Sequence, residues 1–186
     1  MAENGGAFIV WDVKEGRKHA EFSAGLARSV YTYVSPNGRY AVAFAGGATV
    51  VDLEERKVVA RVEGLQRHYA VFSGDSRFVM GIDARGEAVV WEARTGVEKL
   101  RFSAEGSSIT SYCFSPDGRW VAVADAEGRL RIADARSGKL SRTAQVPGAE
   151  AGGEGSVYQM AFDRRGHRLT LIGAGTRIVT FSNNLR

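Results

Sequence analysis

Ser115-Pro116-Asp117-Gly118-Arg119, followed by Val121 to Asp125, Gly128, Leu130-Arg131-Ile132-Ala133-Asp134 and Ser137-Gly138-Lys139, is the clearest copy of a pattern this chain repeats. An earlier copy runs Ser35-Pro36-Asn37-Gly38-Arg39, Tyr40 to Phe44, Gly46-Gly47 and Thr49-Val50-Val51-Asp52. A third has Ser73-Gly74-Asp75-Ser76-Arg77, Phe78 to Asp83, Gly86, Val89-Val90-Trp91-Glu92 and Thr95-Gly96. A degenerate copy begins at Asp163-Arg164-Arg165-Gly166 and ends near Phe181. The interval is about forty residues, the length of one supersecondary unit in arrays that stack or close into a ring.

Each repeat divides into four runs of Val, Ile and aromatic residues, punctuated by Gly, Asp, Asn and Ser, which predicts an all-β chain. In Ser-Pro-Asp-Gly the proline presets φ and the glycine accepts the positive φ at the end of the turn. Asp83-Ala84-Arg85-Gly86 and Arg94-Thr95-Gly96 are further hairpin signals. Apolar spacing at three and four residues is sustained nowhere, so no helix is expected.

An aromatic, then Ser-Pro-Asp-Gly-Arg, an apolar strand, a Gly turn and a strand ending in Trp-Asp resembles the WD40 family of β-propellers. Phe114 to Arg119 and Ile9-Val10-Trp11-Asp12 match that pattern, and Val90-Trp91-Glu92 nearly does. The resemblance implies four-stranded blades packed around a channel. It departs where that family often has Gly-His before the first strand: Leu65 follows Gly64 and Ser107 follows Gly106. Val51 and Ala133 stand where Trp is usual, so the family's buried hydrogen-bond network is not carried over.

Residues 1–186 read as a single repeat domain with a partial blade at 7–22, blades near 29–62, 68–102 and 109–146, and a partial blade near 157–182. The fold expected is β-propeller-type, about four blades' worth of four-stranded antiparallel sheets, as a partial ring or half-propeller. An open arc exposes a strand edge and an apolar blade face at each end. Its completion would come from a second copy, from a different protein chain, or from the rest of a longer protein of which this is a fragment. A closed four-blade ring is the competing arrangement. The segment Pro147 to Gly155, with four glycines, reads as a flexible loop between blades, either a tolerated insertion or one that orders on contact.

Formal net charge is +4. The turns between first and second, and between third and fourth strands, are expected on one face and carry most of the basic residues. Arg39, Arg77, Arg119, Trp120 and Arg168 are the candidate binding residues of that face. They favour an acidic protein, nucleic acid or another anion, although the recurring Arg reads more plainly as a solvated turn residue. No aromatic interleaves with the basic residues as a single-strand binder requires, so nucleic acid is not the favoured partner. Trp120 interrupts the pattern and reads as partly buried or as an exposed interface anchor. Trp11, Trp91, Phe72, Phe114 and Phe162 recur with the period and are expected to pack blade on blade.

The chain lacks Gly-x-Ser-x-Gly, a phosphate loop and His-Glu-x-x-His, and His19, His68 and His167 have no ligand-like spacing. Asp83 and Asp125 end equivalent second strands and would converge in a closed ring, but turn capping accounts for them better. No catalytic residue, metal or cofactor is therefore expected, and a metal-dependent channel enzyme is the remote alternative. Cys113, the single cysteine, is expected to be buried and inert in its strand. No apolar run approaches a membrane span, and the start of the chain lacks signal-peptide character, so a cytoplasmic interaction scaffold without a membrane partner is the reading.

Overall fold

The computed structural model describes residues 7–26, 31–44, 47–62, 65–103, 105–147, 157–173 and 178–182. These form strands only, in five antiparallel sheets whose neighbours follow chain order. The first sheet pairs β1 (Ala7–Asp12) with β2 (Arg17–Ser23). The second joins β3 (Tyr31–Val34), β4 (Tyr40–Phe44), β5 (Ala48–Asp52) and β6 (Lys57–Val62). The third joins β7 (Leu65–Phe72), β8 (Phe78–Asp83), β9 (Ala88–Glu92) and β10 (Glu98–Phe102). The fourth joins β11 (Ile109–Phe114), β12 (Trp120–Asp125), β13 (Arg129–Asp134) and β14 (Leu140–Gln145). The fifth joins β15 (Val157–Phe162), β16 (Arg168–Gly173) and β17 (Ile178–Ser182). Among the described residues no helix is long and apolar enough to cross a membrane.

The two middle strands of each interior sheet are buried on both faces, because alternate side chains feed two different cores. Val79, Val89 and Trp91 of the third sheet pack against Val42, Phe44 and Val50 of the second. Their neighbours Met80, Ile82 and Val90 turn the other way, onto Phe114, Val121 and Val123 of the fourth. Ala122, Ala124, Leu130 and Ile132 repeat the step against Met160, Leu169 and Leu171 of the fifth. The outermost strands of the third and fourth sheets are wetter than their inner pairs: β10 has one fully buried residue and β14 none. A polar outer strand and apolar inner pair explain why the sheets stack sideways in a row.

The turn before each second strand is built the same way. Ser35, Ser73 and Ser115 accept, at Oγ, the N–H of Tyr40, Phe78 and Trp120 at 2.8, 2.9 and 2.8 Å. Each Ser hydroxyl donates to Oδ1 of Asn37, Asp75 or Asp117, which also takes the N–H of Arg39, Arg77 or Arg119 at 3.0 to 3.1 Å. Gly38 and Gly118 adopt φ of 72° and 69° as the motif requires, and Ser76 holds the same region at 60°. The strained serine is tied down by the Asn37 N–H, 3.1 Å from its Oγ. Gly74 replaces the motif's proline because the turns nest: a Cβ there would lie 2.0 Å from the Pro116 carbonyl oxygen.

Several expectations fall on undescribed residues: Gly46 of the Gly46-Gly47 turn, Gly64, the side chain of His68, and the loop from Gly148 to Gly155. The first strand of the third sheet starts at Leu65, earlier than its apolar run at Tyr69 suggests, across an irregular register between Leu65 and Ala70.

Candidate functional site

The nested turns bring the basic residues of the pattern to one face, where antiparallel pairing fixes their neighbours. Tyr40 pairs with Asp52, Phe78 with Glu92 and Trp120 with Asp134. The arginine before each second strand therefore stands beside the acid that ends the third. Arg39 Nε lies 2.9 Å from Oδ2 of the buried Asp52, and its Nη2 3.1 Å from Glu55 Oε1. Arg119 Nε is 3.6 Å from Asp134 Oδ2 and its guanidinium lies over the Trp120 ring at 4.7 Å. The pairing register thus supplies each of these two arginines with a carboxylate, while Arg119 stays an exposed turn residue. Arg77 stacks on Phe78 at 5.8 Å and makes no ion pair with a described residue.

Burial of Asp52 alone would raise its pKa, but N–H donors from Glu55 and Glu54 and the Arg39 guanidinium outweigh it and hold the carboxyl below the ordinary 3.8. Asp134 is held low in the same way, burial being overcome by Ser137 and Arg136 N–H groups, the Ser137 hydroxyl and the Arg119 charge. A depressed folded pKa contributes stability that is complete above the unfolded value and disappears as pH falls through the folded one. The urea midpoint is therefore expected to stay level from pH 7 to about 5 and to drop below about pH 4, with a shallower drop in Asp52→Asn. A midpoint insensitive to acid in both proteins would contradict the depressed carboxyls.

Two hollows among the described residues bear on the candidates. One, of about 360 Å³ on the turn face between the second and third sheets, is lined by Asn37, Arg39, Asp75, Arg77, Glu92 and Arg94. The other, of about 560 Å³, lies along the first strands of the third, fourth and fifth sheets, between Tyr69, Tyr112 and Tyr158. Tyr33, Tyr69 and Tyr112 form a line of aromatic contacts there, with ring centroids 5.7 and 5.8 Å apart. The Tyr112 hydroxyl donates to the Tyr69 carbonyl at 3.1 Å.

A family model for the WD40 domain of anaphase-promoting complex subunit 4 matches residues 86–163. A solved structure of KlHsv2 with loop 6CD replaced by a Gly-Ser linker superposes on 94% of this chain with a TM-score of 0.70 at 12% identity. Hsv2 of Kluyvelomyces marxianus superposes on 95% of it, with a TM-score of 0.69 at 14% identity. The chain has the fold of a β-propeller of WD40-like repeats, and residues 86–163 match the WD40 model itself. Identities this low speak for the fold alone, and the chain spans 56% of the length of each of those two structures. It is thus a partial propeller relative to them. No curated protein matched the sequence.

In this WD40-like arc the sequence candidates do not form one cluster. Arg39 and Arg77 line the turn-face hollow together, whereas Arg119 and the partly buried Trp120 sit on the next sheet. Arg168 pairs with Ser182, which places it in the register of Trp120, so His167 and not Arg168 takes the place of the recurring arginine. The tyrosines of the first strands went unread because they sit at unequal distances from their turns, which hides them from a repeat-based reading.

Asp83 and Asp125 act as turn caps. Asp83 accepts the N–H of Arg85 and Glu87 and pairs with Arg101; Asp125 accepts those of Glu127 and Arg129 and pairs with the Arg129 Nε at 2.7 Å. Among the described residues no three His, Cys, Asp or Glu side chains stand together in a way that would hold a metal ion. Burial pushes the Cys113 thiol up to about 12, against a smaller opposing backbone hydrogen bond from Phe162, so it is an inert thiol at neutral pH. Trp11 corrects an expectation: it is 62% exposed, while Trp91 at the same strand position is 5% exposed. The difference is the sheet on the preceding side, present for Trp91 and absent for Trp11 among the described residues.

Proposed function

We propose that this chain is a cytoplasmic, noncatalytic protein-interaction scaffold that assembles with further propeller blades through the outer faces of its first and fifth sheets. The observation that carries the reading is the contrast between interior and end faces. Ile9 and Trp11 occupy the positions of Val89 and Trp91, which an adjoining sheet covers. At the other end Ile178 is 67% exposed, and its counterpart Leu130, covered by the fifth sheet, is 1% exposed. Apolar faces of this kind mark interaction surfaces, and the three strands of the fifth sheet leave β17 with an edge to pair.

The occupant proposed for these faces is a second copy. Light scattering after size exclusion is expected to give twice the 20.1 kDa chain mass, and Trp11→Glu to return it to a single chain. A monomer at every concentration would assign the blades to a different protein. A mass and partner binding both unchanged in Trp11→Glu would overturn the reading.

A further inference from the structure

Arg131 stands three residues before Asp134, where the third sheet has Val89 before Glu92 and the fifth has Val179 before Ser182. The register makes these places equivalent, since Asp134, Glu92 and Ser182 face Trp120, Phe78 and Arg168 at the start of their second strands. Ala133 likewise stands where the other two sheets have Trp91 and Phe181. Val89 and Trp91 fill the core shared with the second sheet, and Val179 and Phe181 pack toward the fourth. Of these three junctions, the one between the third and fourth sheets alone puts a charge and a truncated side chain at places that are otherwise large and apolar.

The guanidinium of Arg131 lies over the Phe102 ring of the third sheet, 5.7 Å from its centroid. The ring face attracts the charge but offers no acceptor to its N–H groups. Nε and Nη2 of Arg131 are buried without a hydrogen-bond partner. At the turn end of the same junction, Asp75 Oδ2 is buried and unbonded too, with the facing Arg136 Nη2 3.9 Å away. Ser107 Oγ, between β10 and β11 in the connection from the third sheet to the fourth, is the last such atom. The buried side-chain nitrogens and oxygens left unbonded among the described residues thus all belong to one junction.

Phe78, Met80, Val90, Phe114, Val121 and Val123 hold that junction shut by apolar burial. Against them, each unbonded polar atom gives up its water on closure and gains no partner, and for a guanidinium the loss is larger. Opening returns these atoms to water without breaking a ladder, because every strand pairs within its own sheet. The Tyr112 hydroxyl, bonded to the Tyr69 carbonyl, ties the two first strands, so the outer strands are the side that parts.

We propose that the arc hinges at this junction, its first three sheets parting from its last two while each sheet stays intact, with Arg131 as the side chain that sets how often it opens. Local opening of this kind follows the weakest set of contacts in a fold. The hinge lies away from the end faces and works whether or not they are covered.

Val89 and Val90 supply the test. Both are fully buried neighbours on β9, the first facing the second sheet and the second facing the fourth. Full-length chains carrying Val89→Cys or Val90→Cys are treated with a thiol reagent under native conditions, and peptide mass spectrometry separates each new thiol from Cys113. Unfolding of the sheet or of the chain uncovers both positions, whereas parting of the junction uncovers position 90 only. The thiol at position 90 is expected to react about tenfold or more faster than the one at position 89. Arg131→Val, which installs the side chain of the flanking sheets, and Arg131→Met, which keeps a long stem and drops the charge, should each slow position 90 toward the rate of position 89. The rate at position 89 should stay as it was, which shows that the variants fold. Equal rates at the two positions in the parent sequence, or a fast rate at position 90 that both Arg131 variants leave unchanged, overturn the hinge.

Discussion

Trp91→Ala will cost about 3–5 kcal/mol in urea denaturation, while Trp11→Ala will leave the stability of the single chain within about 0.5 kcal/mol of the parent. The two residues hold the same place in their repeats, each closing a third strand in sequence with the following acid, Asp12 or Glu92. What separates them is burial. Trp91 fills the core shared with Val42, Phe44 and Val50, so truncation there removes apolar area and leaves a cavity. Trp11, 62% exposed, gives up far less. The variant should instead show its effect in assembly, as loss of the doubled mass. A comparable destabilisation from both would mean that Trp11 is covered within one chain, and the exposed first face would no longer be available as an interface.

This pair also marks the reach of the sequence. Repeats announced the sheets because the apolar strands and most of their turn residues recur at nearly the same interval, and local chemistry is enough to build them. Position along a repeat array is a different kind of information. Nothing in Ile9-Val10-Trp11-Asp12 distinguishes an end blade from an interior one, since coverage depends on the neighbouring sheet and not on the residues themselves. The turn-face arginines show the same limit. Arg39, Arg77 and Arg119 are alike in sequence, yet Arg39 meets three carboxylates, Arg119 one and Arg77 none among the described residues. The decisive replacement, Glu54 where the next repeats carry Arg94 and Arg136, was visible as a letter. Its meaning required knowing which turn lies beside which.

On the opposite side of the arc, Asp125→Ala should cost about 2–4 kcal/mol, because it leaves two turn N–H groups without their acceptor and takes from Arg129 the one buried carboxylate it pairs with. Asp125 is fully buried; it accepts the N–H of Glu127 at 3.0 Å and of Arg129 at 2.9 Å, and its second oxygen receives the Arg129 Nε at 2.7 Å. Asp125→Asn, which keeps an oxygen for the turn and loses the charge, should cost about 1–3 kcal/mol, as expected for a damaged charge-assisted hydrogen bond. Glu127→Gln, at an outlying member of the same cluster 3.4 Å from Arg129, should cost within about 0.5 kcal/mol. The ordering matters for function as well as stability. Asp83 and Asp125 are the acids that a channel enzyme would use, and each is already satisfied by two backbone amides and an arginine of its own sheet. Adding magnesium or calcium should therefore leave the urea midpoint unchanged in the parent protein. A midpoint that rises with divalent cation, and no longer rises in Asp125→Asn, would show a ligand where the structure places a cap, and would reopen the catalytic reading.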